Sequence, residues 1–94
     1  MNEIDTLVII PTYNEKENIG RMALAVLDTS PHVDVLFVDD NSPDGTGELA
    51  KELAVKHERI HVMHRLAKDG LGRAYIAGFK WALERDYQFV MEMD

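Results

Sequence analysis

Four short apolar runs, rich in β-branched residues, alternate along this chain with three segments whose apolar residues recur at helical spacing. No other feature narrows the choice of fold so far. Residues 6–10 make the first run and Pro11 closes it, which predicts a strand ending in a loop. Ile19, Met22, Ala23, Val26 and Leu27 then fall at i, i+3, i+4, i+7 and i+8, the pattern of a helix buried along one face. Ser30-Pro31 ends that helix, since the residue before a proline avoids the helical region. In residues 33–38 apolar side chains hardly alternate with polar ones, as in a strand covered on both faces. Asn41-Ser42-Pro43-Asp44-Gly45 is a cluster of turn residues. Beyond it the pattern predicts a helix over residues 46–57, a strand over 60–63, a loop over 68–72, a helix over 73–85 and a strand over 87–93.

Strands that alternate with helices are joined by right-handed crossovers and lie parallel. The expected fold is α/β: a Rossmann-like, four-stranded parallel sheet with helices on both faces. In such sheets ligands bind beyond the C-terminal ends of the strands, near the point where strand order reverses. Three segments therefore share one rim: residues 11–15, residues 39–42 and Asp94.

The composition limits what that rim serves. At 94 residues the chain is one small domain, and chains of this size bury only roughly 60–65% of the surface they expose when unfolded. Its 17 acids against 10 bases give a net charge of −7. That balance argues against nucleic acid as a partner and against a polybasic grip on anionic lipid. No cysteine is present, so there is no disulfide framework and no thiolate metal site. A reducing, cytoplasmic setting fits. The start Met1-Asn2-Glu3-Ile4-Asp5 is acidic and lacks the basic and apolar regions of a signal peptide.

On the rim, the loop Pro11-Thr12-Tyr13-Asn14-Glu15 lacks the glycines with which a dinucleotide site lets pyrophosphate approach a helix N-terminus. It offers an aromatic ring and a carboxylate, which suit a base and hydroxyls. The plainer reading is that Asn14 or Glu15 starts the helix, where a carboxylate favours the dipole. Asp39 and Asp40 are adjacent carboxylates at a strand end, and they repel unless a ligand donor or a cation compensates them. Their plainer reading is an Asx turn with one acid solvated. Asp94 follows an apolar strand and suits a hard, oxygen-preferring cation, although one carboxylate does not make a metal site. Gly70 and Gly72, beside Lys68 and Arg73, allow either a basic phosphate loop or an ordinary tight connection. His61 and His64 point to opposite faces of their strand, and Phe79 and Trp81 read as packing residues.

Together these segments resemble the family-two inverting glycosyltransferases of GT-A fold. The resemblance is carried by Val8-Ile9-Ile10-Pro11-Thr12-Tyr13-Asn14-Glu15, by Val38-Asp39-Asp40-Asn41-Ser42-Pro43-Asp44-Gly45-Thr46, by Gly70-Leu71-Gly72-Arg73-Ala74-Tyr75 and by Met91-Glu92-Met93-Asp94. Ser42-Pro43-Asp44-Gly45-Thr46 and Gly70-Leu71-Gly72 are most similar to the polyprenol-phosphate, or dolichol-phosphate, mannosyltransferases. The resemblance implies that Pro11, Tyr13 and Glu15 line a nucleotide pocket, and that Val38 and Asp40 hold base and ribose with Asp39 supporting them. It makes Asp94 the first acid of an Asp-x-Asp motif that handles the ribose and a divalent cation, magnesium or manganese. It implies GDP-mannose as donor and a polyprenyl phosphate as acceptor, at the cytoplasmic face of a membrane. The cation would neutralise charge on the leaving diphosphate, and the acceptor phosphate, already a nucleophile, would need no strong base. No catalytic residue is assigned.

In that family the chain continues past Asp94 with the second acid of the motif, further strands and an acceptor-binding segment. The expectation is therefore that residues 1–94 are a single truncated N-terminal nucleotide-sugar-binding domain without turnover of its own. Its last strand would be an exposed edge, which invites self-association. Two other readings compete. A phosphoacceptor receiver module also clusters acids at strand ends, but its acid pair follows the first strand, whereas here Asp39-Asp40 follows the second. An inert fragment that folds, associates and binds nothing well shares the ancestry but not the function.

Overall fold

The computed structural model describes residues 4–66 and 71–93. In chain order the elements are β1 (Thr6–Thr12), α1 (Ile19–Leu27), β2 (Val33–Asp39), α2 (Thr46–Lys56), β3 (Ile60–His64), α3 (Leu71–Leu83) and β4 (Phe89–Glu92). All four strands pair in parallel, in the order β3-β2-β1-β4. Thr6 pairs with Val33 and Thr12 with Asp39, so β1 and β2 end side by side.

The order explains which helix covers which face. Two successive crossovers step from β1 to β2 and from β2 to β3 in one direction. The third returns past β2 and β1 to reach β4. Crossovers of one hand then place the third helix on the opposite face from the first two. Val8, Ile10, Val35 and Phe37 accordingly pack with α1 and α2, while Leu7, Ile9, Leu36 and Val38 pack with Ala74 and Ala82 of α3. Every residue of β2 is buried, as the near-absence of alternation predicts. Leu7, Ile9, Ile10, Leu36 and Phe37 are wholly inaccessible, and burial of each such side chain contributes about 1.5–3 kcal/mol. The strand order reverses between β1 and β4, so the crevice of this fold opens at the C-terminal end of β1.

Several boundaries differ from the expected ones. The first strand does not stop at Pro11. Met93 donates its amide to the Ile9 carbonyl, so the polar groups of Ile9 face β4. By the two-residue period those of Pro11 face the same side, beyond the last β4 pairing at Ile9↔Glu92. A proline there removes no ladder bond to β2, and the strand continues to Thr12. The third helix starts at Leu71, so Gly72 is helical and not part of a loop, and Lys68 and Gly70 lie outside the described residues. The fourth strand is shorter than the expected 87–93, because Gln88 and Phe89 both donate to the Asp5 carbonyl and only from Phe89 does the ladder begin.

At the N-terminal end of the sheet, buried Asp34 joins elements distant in sequence. Tyr87 Oη donates to Asp34 Oδ2 at 2.6 Å, and His61 Nε2 lies 2.9 Å from the same oxygen. Trp81 stacks on Tyr87 with ring centroids 6.2 Å apart, and the Arg85 guanidinium lies 3.6 Å from the Trp81 ring centroid. Trp81 is thus a packing residue, as its sequence context suggests. Burial, followed by the Asp34 carboxylate, raises the Tyr87 phenol above its usual range. His61 faces α3 through Trp81, 5.2 Å away, while the His64 ring borders Gly47 of α2. The two histidines do lie on opposite faces of their strand.

Candidate functional site

Two loops follow the paired ends of β1 and β2, and they are built alike. Each turns on an asparagine two residues past its strand: Asn14 with φ 57° and Asn41 with φ 56°. Asparagine tolerates this left-handed backbone better than other residues with a side chain, glycine aside. Gly45, with φ 91°, supplies a third left-handed position immediately before α2.

Asp39 is the hub between the loops. It is 1% exposed. Its Oδ1 accepts hydrogen bonds from Thr12 Oγ1 at 2.8 Å and Ser42 Oγ at 2.6 Å, and its Oδ2 accepts from the Ser42 amide at 3.0 Å. Asp40 is also buried, and Arg65 Nη1, from just past β3, reaches its Oδ1 at 3.2 Å. Neither acid is therefore left to solvent. The protein's own donors supply the compensation that two adjacent carboxylates require, and Asp39 accepts from the amide of Ser42, three residues on and not the two of an Asx turn.

The first loop lies against the second through its backbone. The amides of Asn14, Glu15 and Lys16 donate to Ser42 Oγ at 3.0 Å, Thr46 Oγ1 at 2.9 Å and Asp44 Oδ2 at 3.3 Å. The Thr46 hydroxyl also makes a short hydrogen bond to Asp44 Oδ1, and the Thr46 amide donates to that oxygen at 2.9 Å. The Thr46 hydroxyl is the main reason the Asp44 carboxyl is held below the usual carboxylate range. Neither Asn14 nor Glu15 begins the helix. Asn18 is the residue at the N-cap, and its side chain donates to Glu15 Oε2 at 3.2 Å and accepts from Arg21 at 2.8 Å.

Of the residues expected at the site, Pro11, Tyr13, Glu15, Val38, Asp39 and Asp40 are gathered at the ends of β1 and β2, beside the reversal of strand order. Tyr13 is 38% exposed and Val38 wholly buried. The ring of Tyr13 is thus accessible to a ligand, whereas Val38 packs in the core against α3. Asp94, the expected metal ligand, lies outside the described residues. Among the described residues no three His, Cys, Asp or Glu side chains converge to hold a metal ion. Asp39 is already saturated by protein donors, so the described part of the rim does not by itself fit a divalent cation. Thr12, Thr46 and Arg65 are parts of the site that sequence reasoning missed. Ser42, three residues after Asp39, had a turn signal, but Arg65 has none, since only the pairing of β2 with β3 brings it beside Asp40.

Residues 7–94 match glycosyl transferase family 2. The chain belongs to that family. It is 58% identical over 90 residues to the polyprenol monophosphomannose synthase of Mycolicibacterium smegmatis, an overlap covering 95% of this chain and 34% of that protein. It is 54% identical over 88 residues to the undecaprenyl-phosphate mannosyltransferase of Micrococcus luteus, covering 94% of this chain and 36% of that protein. It is 40% identical over 89 residues to the dolichol-phosphate mannosyltransferase of Pyrococcus furiosus, covering 93% and 25%. The chain thus spans about a third of the length of the first two relatives. Among solved structures it is similar to a mannosyltransferase from Pyrobaculum calidifontis in complex with GDP-Man and Mn2+, with a TM-score of 0.69, 25% identity, and 82% of this chain and 24% of the other covered. The family resemblance read from the motifs is borne out, as is the parallel α/β fold. Among the described residues no helix is long and apolar enough to cross a membrane.

Proposed function

We propose that this chain forms the nucleotide-binding part of a mannosyltransferase that transfers mannose from GDP-mannose to a polyprenyl phosphate with inversion. The observation that carries the proposal is the rim itself. An accessible aromatic ring at Tyr13 and the carboxylate of Glu15 follow β1, and the Arg65-paired carboxylate of Asp40 follows the neighbouring β2, on the rim beside the strand-order reversal. The relatives named above and the GDP-Man complex of the solved neighbour agree with it. Tyr13 offers a face for the base. Carboxylates at Glu15 and Asp40 suit the N–H groups of a base and the hydroxyls of a ribose. Pro11, Val38 and Asp39 form the frame beneath them. A divalent cation, magnesium or manganese, with Asp94 as one ligand, would stabilise charge on the leaving diphosphate. The acceptor phosphate, already an anionic nucleophile, requires no strong base from this rim. Its lipid tail requires a membrane surface, and the cytoplasmic face is the side proposed.

Titration calorimetry of the chain with GDP and GDP-mannose, with and without Mn2+, tests the binding reading. Saturable heat with GDP and none with adenosine diphosphate is expected. No heat at millimolar GDP overturns the reading. The exposed edge carries a second proposal. Among the described residues β4 is an edge strand, and Phe89 and Met91 on it are 58% and 57% exposed, which supports pairing of copies of residues 1–94 through that edge. Sedimentation at increasing concentration should show association that Met91→Lys abolishes, and a monomer throughout refutes it.

A further inference from the structure

The turn Ser42-Pro43-Asp44-Gly45-Thr46 marks the subfamily resemblance, yet none of its residues is given a contact with the nucleotide above. Its geometry supplies another role. Residues 14–16 lie between the end of β1 and the start of α1, where neither a strand ladder nor a helix accepts their amides. The partly buried amide of Glu15 needs a partner within the protein, and the turn provides acceptors for it and for the exposed amides on either side, in succession. Ser42 accepts from Asn14, Thr46 from Glu15 and Asp44 from Lys16. Each acceptor is itself fixed. The Ser42 hydroxyl is oriented by Asp39. Thr46 is wholly buried, and its hydroxyl proton is committed to Asp44, which leaves a lone pair for the Glu15 amide. Asp44 is held by the Thr46 amide. Gly45 makes the register between Asp44 and Thr46 available through its left-handed backbone.

We propose that Ser42, Asp44 and Thr46 are positioning residues that fix the backbone of residues 14–16 and thereby present Tyr13 and Glu15 to the nucleotide. The role rests on the nucleotide reading of the rim. It accounts for a polar turn on one strand whose side chains serve the loop of its neighbour.

The test uses Thr46→Val, which keeps the shape of the side chain but removes the acceptor for Glu15, with Thr46→Ser as the conservative rescue. Two readouts are taken on the same proteins: amide hydrogen exchange by NMR, and GDP affinity by calorimetry with Mn2+. In Thr46→Val, exchange at the Glu15 amide should rise about tenfold relative to the Ile9 amide, and GDP affinity should fall about tenfold. Thr46→Ser should stay within about twofold of the parent in both, since it keeps the hydroxyl. Asp34→Asn, at the far end of the sheet, should lower stability without changing GDP affinity. If Thr46→Val does not fold, Ser42→Ala removes the partner of the Asn14 amide, together with the hydroxyl's bond to Asp39, and should raise exchange at Asn14. Unchanged exchange at Asn14 and Glu15 overturns the clamp. Faster exchange with undiminished GDP affinity overturns its positioning role. A parent chain that binds no GDP overturns the nucleotide reading and this role together, while the exchange arm still decides whether the clamp exists.

Discussion

Gly47→Ala and Gly20→Ala add the same methyl group at the same helical position and should change stability in opposite directions. Each glycine is the second residue of its helix, Gly20 in α1 and Gly47 in α2. Helix preference alone favours alanine over glycine by up to about 1 kcal/mol. Around Gly20 an added Cβ meets nothing within 4 Å, so that preference is realised. At Gly47 the same Cβ would lie 2.9 Å from Asp39 Oδ2 and 3.1 Å from the Cε1 and Nδ1 atoms of His64. His64 is exposed and can swing aside. Asp39 cannot, because it is 1% exposed and its carboxylate accepts three hydrogen bonds, from Thr12 and twice from Ser42. Turning Oδ2 away weakens the bond from the Ser42 amide, and a hydrogen bond to a charged acceptor is worth about 1.5–3 kcal/mol. Setting this against the helix preference leaves Gly47→Ala destabilised by about 1–2 kcal/mol. For a domain of this size that lowers Tm by about 4–15 °C. Urea unfolding followed by circular dichroism gives both free energies at constant m-value. A Gly47→Ala protein as stable as the parent, or two variants shifted in the same direction, would refute the claim that Asp39 is immobile.

Three further outcomes follow from the polar contacts. Tyr87→Phe should cost about 1–2 kcal/mol through loss of the bond to Asp34. Because the folded phenol is raised above 10.0, the contribution of Tyr87 is present below that pH and lost as pH rises through the folded value; urea midpoints from pH 8 to 11 should fall more steeply for the parent than for the variant. Asp44 shows the opposite sign. Its folded pKa lies below 3.8, so its contribution is present above that pH and lost as pH falls through the folded value, and the stability gap between the parent and Asp44→Asn should narrow between pH 5 and pH 2.5. Arg65→Met should destabilise by about 1–3 kcal/mol, since it takes a charge partner from a carboxylate that is largely desolvated, and thermal unfolding that matches the parent would show that the pair contributes nothing.

The topology of this chain could be read from its residues because it depends on local period. Residues 33–38, apolar at every position except Asp34, read as a strand covered on both faces, and β2 is buried at every position. The five residues of helical spacing from Ile19 to Leu27 match α1 from end to end. The boundaries that shifted are those set by partners. Whether Pro11 stops a strand depends on which neighbour its nitrogen faces, and that follows from the pairing of β4 with β1, more than seventy residues apart in sequence. Gly70-Leu71-Gly72 reads as a loop from its glycines, yet α3 begins at Leu71.

The acid pair shows where sequence reasoning stops on the site itself. Asp39 and Asp40 are the same residue type at adjacent positions, and along a strand adjacent side chains must point to opposite faces. That alone says their roles differ, but not which does what. The fold decides it through partners at long range: Thr12 lies 27 residues from Asp39, and Arg65 lies 25 residues from Asp40. The β1–β2 register brings Thr12 to Asp39, and the β2–β3 register brings Arg65 to Asp40. One carboxylate is thereby spent on holding two loops together, and the other is paired with the Arg65 guanidinium just past β3. An exchange of roles would require a one-residue slip of β2, which would also move Leu36 and Val38 to the α1 and α2 face and Val35 and Phe37 to the α3 face, so that both core clusters would have to repack. The apolar core that makes the sheet therefore also determines which acid joins the two loops and which pairs with Arg65.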